Sequence, residues 1–236
     1  MNRLVIIGNG FDMAHGLRTS YMDFINWYWD QRVYGFIGNT TNVSQDCLCK
    51  LVIKETGDFS CWNVFAASNS YFFKDLYQKE RYSGSEVFQE IKQHPETFMV
   101  ECSPFFETIL QSIESKGWVD IENDYYQLLK DSINNPRCEY TITGLNQQLA
   151  FIQSKLVEYL STIKEGEYKS EYQKAITDYF NPDDFSTEGR VRALDNMGLD
   201  FDRPYDKQYF QEEHEKLAPE RIMLLSFNYT KTAQLY

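Results

Sequence analysis

The sequence from residue 4 to residue 16 reads LVIIGNGFDMAHG, and it combines an apolar run, two glycines and several polar residues. Four consecutive aliphatic residues at positions 4–7 predict a short strand that is buried on both faces. Gly8 and Gly10 then let the backbone turn sharply and approach closely whatever lies beyond the strand. A helix that begins there points its first amide groups outward without partners, as in nucleotide- and phosphate-binding corners.

Polar side chains in the same stretch supply candidate binding and catalytic groups. Asn9 can exchange hydrogen bonds with a ribose or a carboxamide. Asp12 suits three roles: binding ribose hydroxyls, acting as a base, or capping the helix. His15 either packs and caps or takes part in catalysis. Met13 stands where the dinucleotide fingerprint has its third glycine, which disfavours an ordinary Rossmann dehydrogenase and leaves a ligand-free turn as an alternative.

Composition narrows the class of protein. The chain has 236 residues and a formal net charge of -12, which argues against binding nucleic acid or an anionic membrane. Its 17 Tyr and 17 Phe are expected to fill much of the core. The five cysteines are irregularly spaced, so free thiols are favoured over a structural zinc site at Cys47 and Cys49. No signal peptide or membrane-spanning run is evident, so we expect a cytoplasmic protein.

The rest of the chain predicts mostly helices. One should run from about Tyr21 to Arg32, followed by a loop that includes Gly35. Periodicity does not decide between a strand and a short helix at 47–54. The segments 34–101 and 104–217 are expected to be mainly helical insertions. Later helices are predicted at about 143–163, 168–179 and 205–217, and the polar segment 185–206 is expected to be mobile or lid-like.

A second apolar run, at 222–227, predicts another buried strand, and Asn228, Tyr229 and Thr230 follow it. Open parallel sheets bind ligands just past the carboxyl ends of their strands, so these residues and the first corner should form one site. Asn228 or Thr230 is also placed to cap a helix that begins at Lys231. Because an α/β domain rarely stops soon after a strand, we expect the chain to be the N-terminal part of a longer polypeptide.

Three segments resemble the AbiH family of bacteriophage abortive infection proteins. Residues 4–24 read LVIIGNGFDMAHGLRTSYMDF, like the family's opening signature. Residues 118–122 read WVDIE and residues 225–232 read LSFNYTKT, like its W-x-D-x-E and F-N-Y-T-x-T segments. The resemblance implies a single α/β domain over residues 1–236 with a Rossmann-like parallel sheet. It also implies a role in phage defence that answers a phage-derived trigger.

The two corners resemble, more remotely, the sirtuin-like NAD-binding fold. That resemblance implies that NAD or another small-molecule nucleotide is the ligand, with hydrolysis at the glycosidic bond of NAD as the reaction. In that fold a downstream His acts as base, and its counterpart would lie beyond Tyr236. The expected catalytic residues are Asp12, His15 and Asn228. The expected cofactor-binding residues are Gly8, Asn9, Gly10, Phe11, Asp12, Asn228, Tyr229 and Thr230.

Two other functions stay open at this point. Asp12, Asp120 and Glu122, with His15, could serve a metal-dependent nuclease or phosphoesterase, whereas the NAD hypothesis needs no metal. An acid cluster at a helix start explains Asp120 and Glu122 equally well. Alternatively, the protein is a non-catalytic sensor that binds a nucleotide and acts through a partner.

Overall fold

The structure, a computed structural model, describes residues 2–37, 42–54, 71–77, 82–116, 120–135, 138, 140–212 and 217–236. The chain separates into two compact units. Met1–Leu17 and Lys164–Tyr236 form the first, called here the two-segment unit, and Arg18–Ile163 forms the second, called the central unit. The expectation of a single domain over residues 1–236 stays a prediction.

The described elements of the central unit and of the first segment are β1 (Asn2–Ile7), α1 (Asn9–Ala14), α2 (Tyr21–Ile37), β2 (Val43–Gln45), β3 (Cys49–Ile53), α3 (Tyr71–Tyr77), α4 (Gly84–Gln93), β4 (Phe98–Cys102), α5 (Pro104–Lys116), α6 (Ile121–Asn134) and α7 (Ile142–Leu160). The second segment of the two-segment unit holds α8 (Ser170–Thr177), α9 (Thr187–Asn196), α10 (Pro204–Glu212) and β5 (Arg221–Ser226), with short 3-10 turns at Pro182–Asp184 and Thr232–Leu235.

The two predicted strands are present, and they are neighbours. β1 and β5 pair in parallel with Val5 opposite Leu224 and Ile7 opposite Ser226. The amide of Phe227 extends the ladder by donating to the Ile7 carbonyl at 2.7 Å. Parallel pairing brings the carboxyl ends of both strands to the same edge, where the polar segments after each strand begin. The protein is thus a mixed α/β protein with a two-stranded parallel sheet.

The expectation that β1 is buried on both faces is wrong, and so is the expectation that the second strand is buried. Ile7 is buried, but the side chains of Leu4 and Ile6 are 57% and 66% exposed. On β5, Met223 is 67% exposed. An aliphatic run predicts burial only where layers cover both faces of a sheet, and in these two strands Ile7 alone is buried.

The second segment packs around its own small core. Buried Ala193, Leu194 and Phe210 join α9 to α10, together with Leu217. The segment 185–206, which was predicted to be mobile or lid-like, contains α9 and contributes to this core, and its mobility stays a prediction. Ser186 caps α9 by accepting a hydrogen bond from the Gly189 amide at 3.1 Å, and the helix places its apolar residues inward.

The central unit contains a three-stranded antiparallel sheet in the order β2-β3-β4. The prediction that 34–101 is mainly helical did not include this sheet. At 49–53 Cys49, Leu51 and Ile53 point into the core, and the intervening Lys50 and Val52 are partly exposed. Since Val52 is apolar, the alternation typical of a strand is masked in the sequence.

Helix α2 lies at the centre of this unit. It begins with a reciprocal cap, in which the Asp23 amide donates to the Ser20 hydroxyl and the Ser20 amide donates to the Asp23 carboxylate. It continues to Ile37, so Gly35 is helical rather than in a loop. Its aromatic side chains fill the core, and Trp29 stacks on Phe88 of α4 with ring centroids 3.5 Å apart.

The later helices differ modestly from their predicted bounds. The three predicted at 143–163, 168–179 and 205–217 are α7, α8 and α10. The aromatic residues Phe59, Trp62 and Phe65, which contribute to the prediction of helices within 34–101, lie outside the described residues, as does Trp118 of the segment 118–122. Among the helices of the described chain, none combines the length and apolar character needed to span a membrane.

Candidate functional site

Asp12 joins the two predicted corners. Its carboxylate lies on the first turns of α1, and its side chain has no exposed surface. Oδ1 accepts hydrogen bonds from Asn228 Nδ2 at 3.0 Å and from Thr230 Oγ1 at 2.7 Å. Oδ2 accepts from the Thr230 amide at 3.3 Å. A buried carboxylate with three donors is well satisfied, so Asp12 fixes the segment after β5 against α1.

Two threonines extend this network. Because the Thr230 hydroxyl donates to Asp12, it accepts from the Thr232 hydroxyl, 2.6 Å away, and from the Thr232 amide at 3.2 Å. Thr232 is completely buried. The helix expected from Lys231 is a short 3-10 turn at Thr232–Leu235, and the side chain of Lys231 does not cap it. Thr230 accepts from the first amide of this turn while it donates to Asp12, whereas the Asn228 side chain binds Asp12.

His15 lies in a second network of the same unit. Its Nδ1 is 2.7 Å from the Phe11 carbonyl, which can only accept, so Nδ1 carries a proton. Its Nε2 is 2.7 Å from the Tyr236 hydroxyl, which itself accepts from the Lys169 amide at 2.8 Å. The Tyr236 hydroxyl thus links the His15 ring to the Lys169 backbone. Both ring nitrogens are engaged and the residue is buried, which favours the packing role over catalysis.

The ring of Phe11 packs within an aromatic cluster. Its centroid lies 4.5 Å from that of His15, 5.4 Å from that of Tyr172 and 5.5 Å from that of Tyr236. Tilted and edge-on arrangements such as these are favourable beyond the area they bury. Gly166 approaches the cluster closely, because a Cβ there would lie 3.4 Å from that of His15. The cluster holds the end of α1 in place.

Gly8 and Gly10 are not explained by the sharp backbone turn that the sequence predicts there. Neither has a positive φ, since Gly16 and Gly198 are the positive-φ glycines of the described chain. Gly8 is extended, at φ -114 and ψ -177. A Cβ at either position would meet no atom of the described residues within 4 Å. Neither backbone conformation nor packing therefore requires glycine here, and both positions border open space.

Asn228 is anchored through only one half of its amide. Nδ2 donates to Asp12, whereas Oδ1 is buried and has no hydrogen-bond partner among the residues that the structure describes. An unsatisfied buried acceptor costs about 1–3 kcal/mol. The neighbouring Tyr229 is 43% exposed. The site thus combines one oriented acceptor, one accessible aromatic ring and open space at the glycine corner.

Asp120 and Glu122, which were candidate metal ligands, lie at the start of a helix. Asp120 caps α6 by accepting from the Asn123 amide at 3.1 Å, and Glu122 lies in the first turn of that helix. Both belong to the central unit, whereas Asp12 belongs to the two-segment unit. Within the described ranges, no group of three or more His, Cys, Asp or Glu side chains is placed to hold a metal ion.

Sequence reasoning missed part of this arrangement. Thr232 could have been predicted from the sequence, since it is the second threonine of the F-N-Y-T-x-T segment, two residues after Thr230. Tyr172, Tyr236 and Lys169 could not, because nothing near them in the chain indicates that they meet α1. Of the predicted site residues, Asp12, Asn228 and Thr230 are in direct contact, and Phe11 and His15 form the neighbouring cluster.

The fold and the paired corners define a mixed α/β protein whose polar segments meet at the end of a two-stranded parallel sheet. The family model "Bacteriophage abortive infection AbiH" matches residues 4–236. The chain belongs to the AbiH family, whose description places it in abortive infection against bacteriophage. Comparisons with curated proteins and with solved structures find no match.

Proposed function

We propose that this AbiH-family protein acts in phage defence by binding a nucleotide where β1 and β5 end. The buried, unpartnered Oδ1 of Asn228 carries the proposal. Its amide is held by Asp12, so the oxygen keeps one orientation. The matching ligand group is a hydrogen-bond donor, such as a ribose hydroxyl or the NH₂ of a carboxamide.

The glycine corner supports a ligand that passes close to the backbone. Gly8 and Gly10 border open space without being needed for turn geometry or packing. A nucleotide placed with its ribose near Asn228 and its phosphates near the corner would use that space. We further propose that the strand pair is the centre of a Rossmann-like sheet, because ligands of such sheets bind at this edge.

NAD is the nucleotide that we propose, because it carries both kinds of donor. In the reaction, water attacks C1′ of the nicotinamide ribose as the glycosidic bond breaks, giving ADP-ribose, nicotinamide and a proton. Positive charge develops on the ribose, and the Asn228 oxygen would stabilise it. Asp12 and His15 would position the two loops. Because NAD and a phage-derived trigger are both present inside an infected cell, we propose a cytoplasmic location.

Replacing Asn228 with alanine should reduce NAD affinity about tenfold, the factor for losing roughly one hydrogen bond to the ligand. Isothermal titration with NAD measures binding, and chromatography of free nicotinamide measures turnover. Asn196→Ala is the matched control, because Asn196 is an exposed asparagine of α9 in the same unit. Equal affinity and equal turnover in the Asn228→Ala variant and the parent would refute the proposed contact.

The Gly10→Ala variant tests whether the ligand passes close to residue 10, because it should weaken NAD binding without destabilising the protein. The added methyl group meets no atom of the described protein, and in a helix alanine is favoured over glycine by about 0.5–1 kcal/mol. We therefore expect unfolding at equal or higher urea, together with at least about tenfold weaker NAD binding, because the methyl group occupies the ligand's space. Unchanged NAD binding in a normally folded variant would remove the glycine corner from the site.

A further inference from the structure

Two cysteines of the central unit are direct neighbours across the antiparallel sheet. Cys49 of β3 is opposite Cys102 of β4. The adjacent pair, Leu48 and Ser103, is joined by a backbone hydrogen bond of 2.8 Å. Hydrogen-bonded and non-hydrogen-bonded pairs alternate along such a ladder, so Cys49 and Cys102 form a non-hydrogen-bonded pair.

That position suits a disulfide. Opposite residues of a non-hydrogen-bonded pair have Cα atoms about 4.5 Å apart, within the range that a disulfide spans. The two Sγ atoms are already 3.7 Å apart as hydrogen-bonded thiols. Small side-chain rotations would bring them to the bond length of about 2.0 Å without moving the strands.

The two thiols are chemically unequal. When Cys102 is deprotonated, the Cys49 thiol donates to its sulfur, and this hydrogen bond lowers the pKa of Cys102 despite the opposing effects of burial and of the Glu107 carboxylate. The same hydrogen bond, together with burial, raises the pKa of Cys49. Cys49 is 2% exposed, whereas Cys102 is partly exposed. Cys102 is thus the thiol that reacts first with a small electrophile.

Cys102 also has an access route. It lines a cavity of about 370 Å³ between α4, β4 and α5, together with Lys92, Glu107 and apolar side chains. A hydroperoxide is small enough to enter a space of this size.

We propose that Cys49 and Cys102 form a reversible redox site, closed to a disulfide by hydrogen peroxide. The Cys102 thiolate attacks one peroxide oxygen and releases hydroxide, giving a sulfenic acid. The Cys49 sulfur then attacks the Cys102 sulfur and displaces water, which forms the S–S bond. Overall, two thiols are oxidised, one peroxide is reduced, and two waters form. This site is independent of the proposed nucleotide site.

The test is peroxide treatment of the reduced, folded full chain, followed by alkylation of the remaining thiols, digestion and mass spectrometry. We expect a peptide linked through Cys49 and Cys102, a loss of about 2 Da for the two hydrogens removed, and reversal by dithiothreitol. Iodoacetamide should label Cys102 faster than Cys49 in the untreated protein. Oxidation confined to other cysteines, or a linked peptide that forms only in the urea-unfolded chain, would overturn the proposal.

Four variants show which cysteine reacts with peroxide and which one then forms the disulfide. Cys49→Ala should leave a Cys102 sulfenic acid that dimedone traps, and Cys102→Ala should give neither a trapped adduct nor a linked peptide. The matched controls Cys47→Ser and Cys138→Ser remove other free thiols and should leave the linked peptide unchanged. Trapping at Cys49 rather than Cys102 would contradict the assigned order. The linked peptide is measured in the parent protein, so the main test does not depend on whether a variant folds.

Discussion

Replacing Gly84 with alanine should destabilise the protein by about 3 kcal/mol, the upper range for forcing atoms into a packed core. Gly84 is the first residue of α4, and a Cβ there would overlap the backbone of α2 at Trp29 and Asp30. The Gly84 amide also donates to the Asp30 carboxylate. Helices α2 and α4 cannot easily move apart to make room, because the stacked rings of Trp29 and Phe88 fix their spacing.

Urea unfolding followed by tryptophan fluorescence measures this effect. Gly35→Ala is the control, since Gly35 lies in α2 and a Cβ there meets no atom of the described residues within 4 Å. That change should stabilise the protein by about 0.5–1 kcal/mol, because alanine is the better helix former. A Gly84→Ala variant that unfolds at the same urea concentration as the parent would show that α2 and α4 are not in backbone contact.

Asp12→Ala should have an effect of similar size, about 3 kcal/mol, because it leaves buried donors of Asn228 and Thr230 without their acceptor. Asp12→Asn should cost about half as much, since its Oδ1 can still accept from both side chains. Asp195→Ala, an exposed change on α9, should stay within about 0.5 kcal/mol.

A double-mutant cycle of Asp12→Asn with Thr230→Val isolates the contact between the two loops. Residues that share a network couple by about 0.5–3 kcal/mol, whereas independent sites add. We expect clear coupling in urea unfolding. Additive free energies of unfolding would mean that Asp12 does not hold the segment after β5.

The sequence predicted the centre of the two-segment unit well. Aliphatic runs at 4–7 and 222–227 located both strands, and parallel strands place their carboxyl ends together, so Asp12 and Asn228 could be assigned to one site. The exposure of the strands could not be predicted, because an aliphatic run does not reveal how many layers will cover a sheet.

The central unit was harder to predict, for two physical reasons. Helix α2 is apolar on several faces, so its sequence does not show which side packs against which neighbour. Strand β3 pairs with β4 over a separation of about fifty positions, as the 53 between Cys49 and Cys102 show, and short runs carry no information about a distant partner. His15 illustrates the same limit, since its partner Tyr236 comes from a remote segment, as does Lys169, whose amide binds the Tyr236 hydroxyl.

The discontinuity of the two-segment unit has a consequence during synthesis. Ile7 ends β1 and Arg221 begins β5, and at about 5–20 residues per second the interval takes the ribosome roughly 10 to 40 s. Helices of the uninterrupted central unit form within milliseconds of emerging. β1 therefore waits as an unpaired apolar segment while its neighbour along the chain is already folded. A nascent chain halted before residue 221 would contain a folded central unit and a β1 strand that has not yet paired with β5.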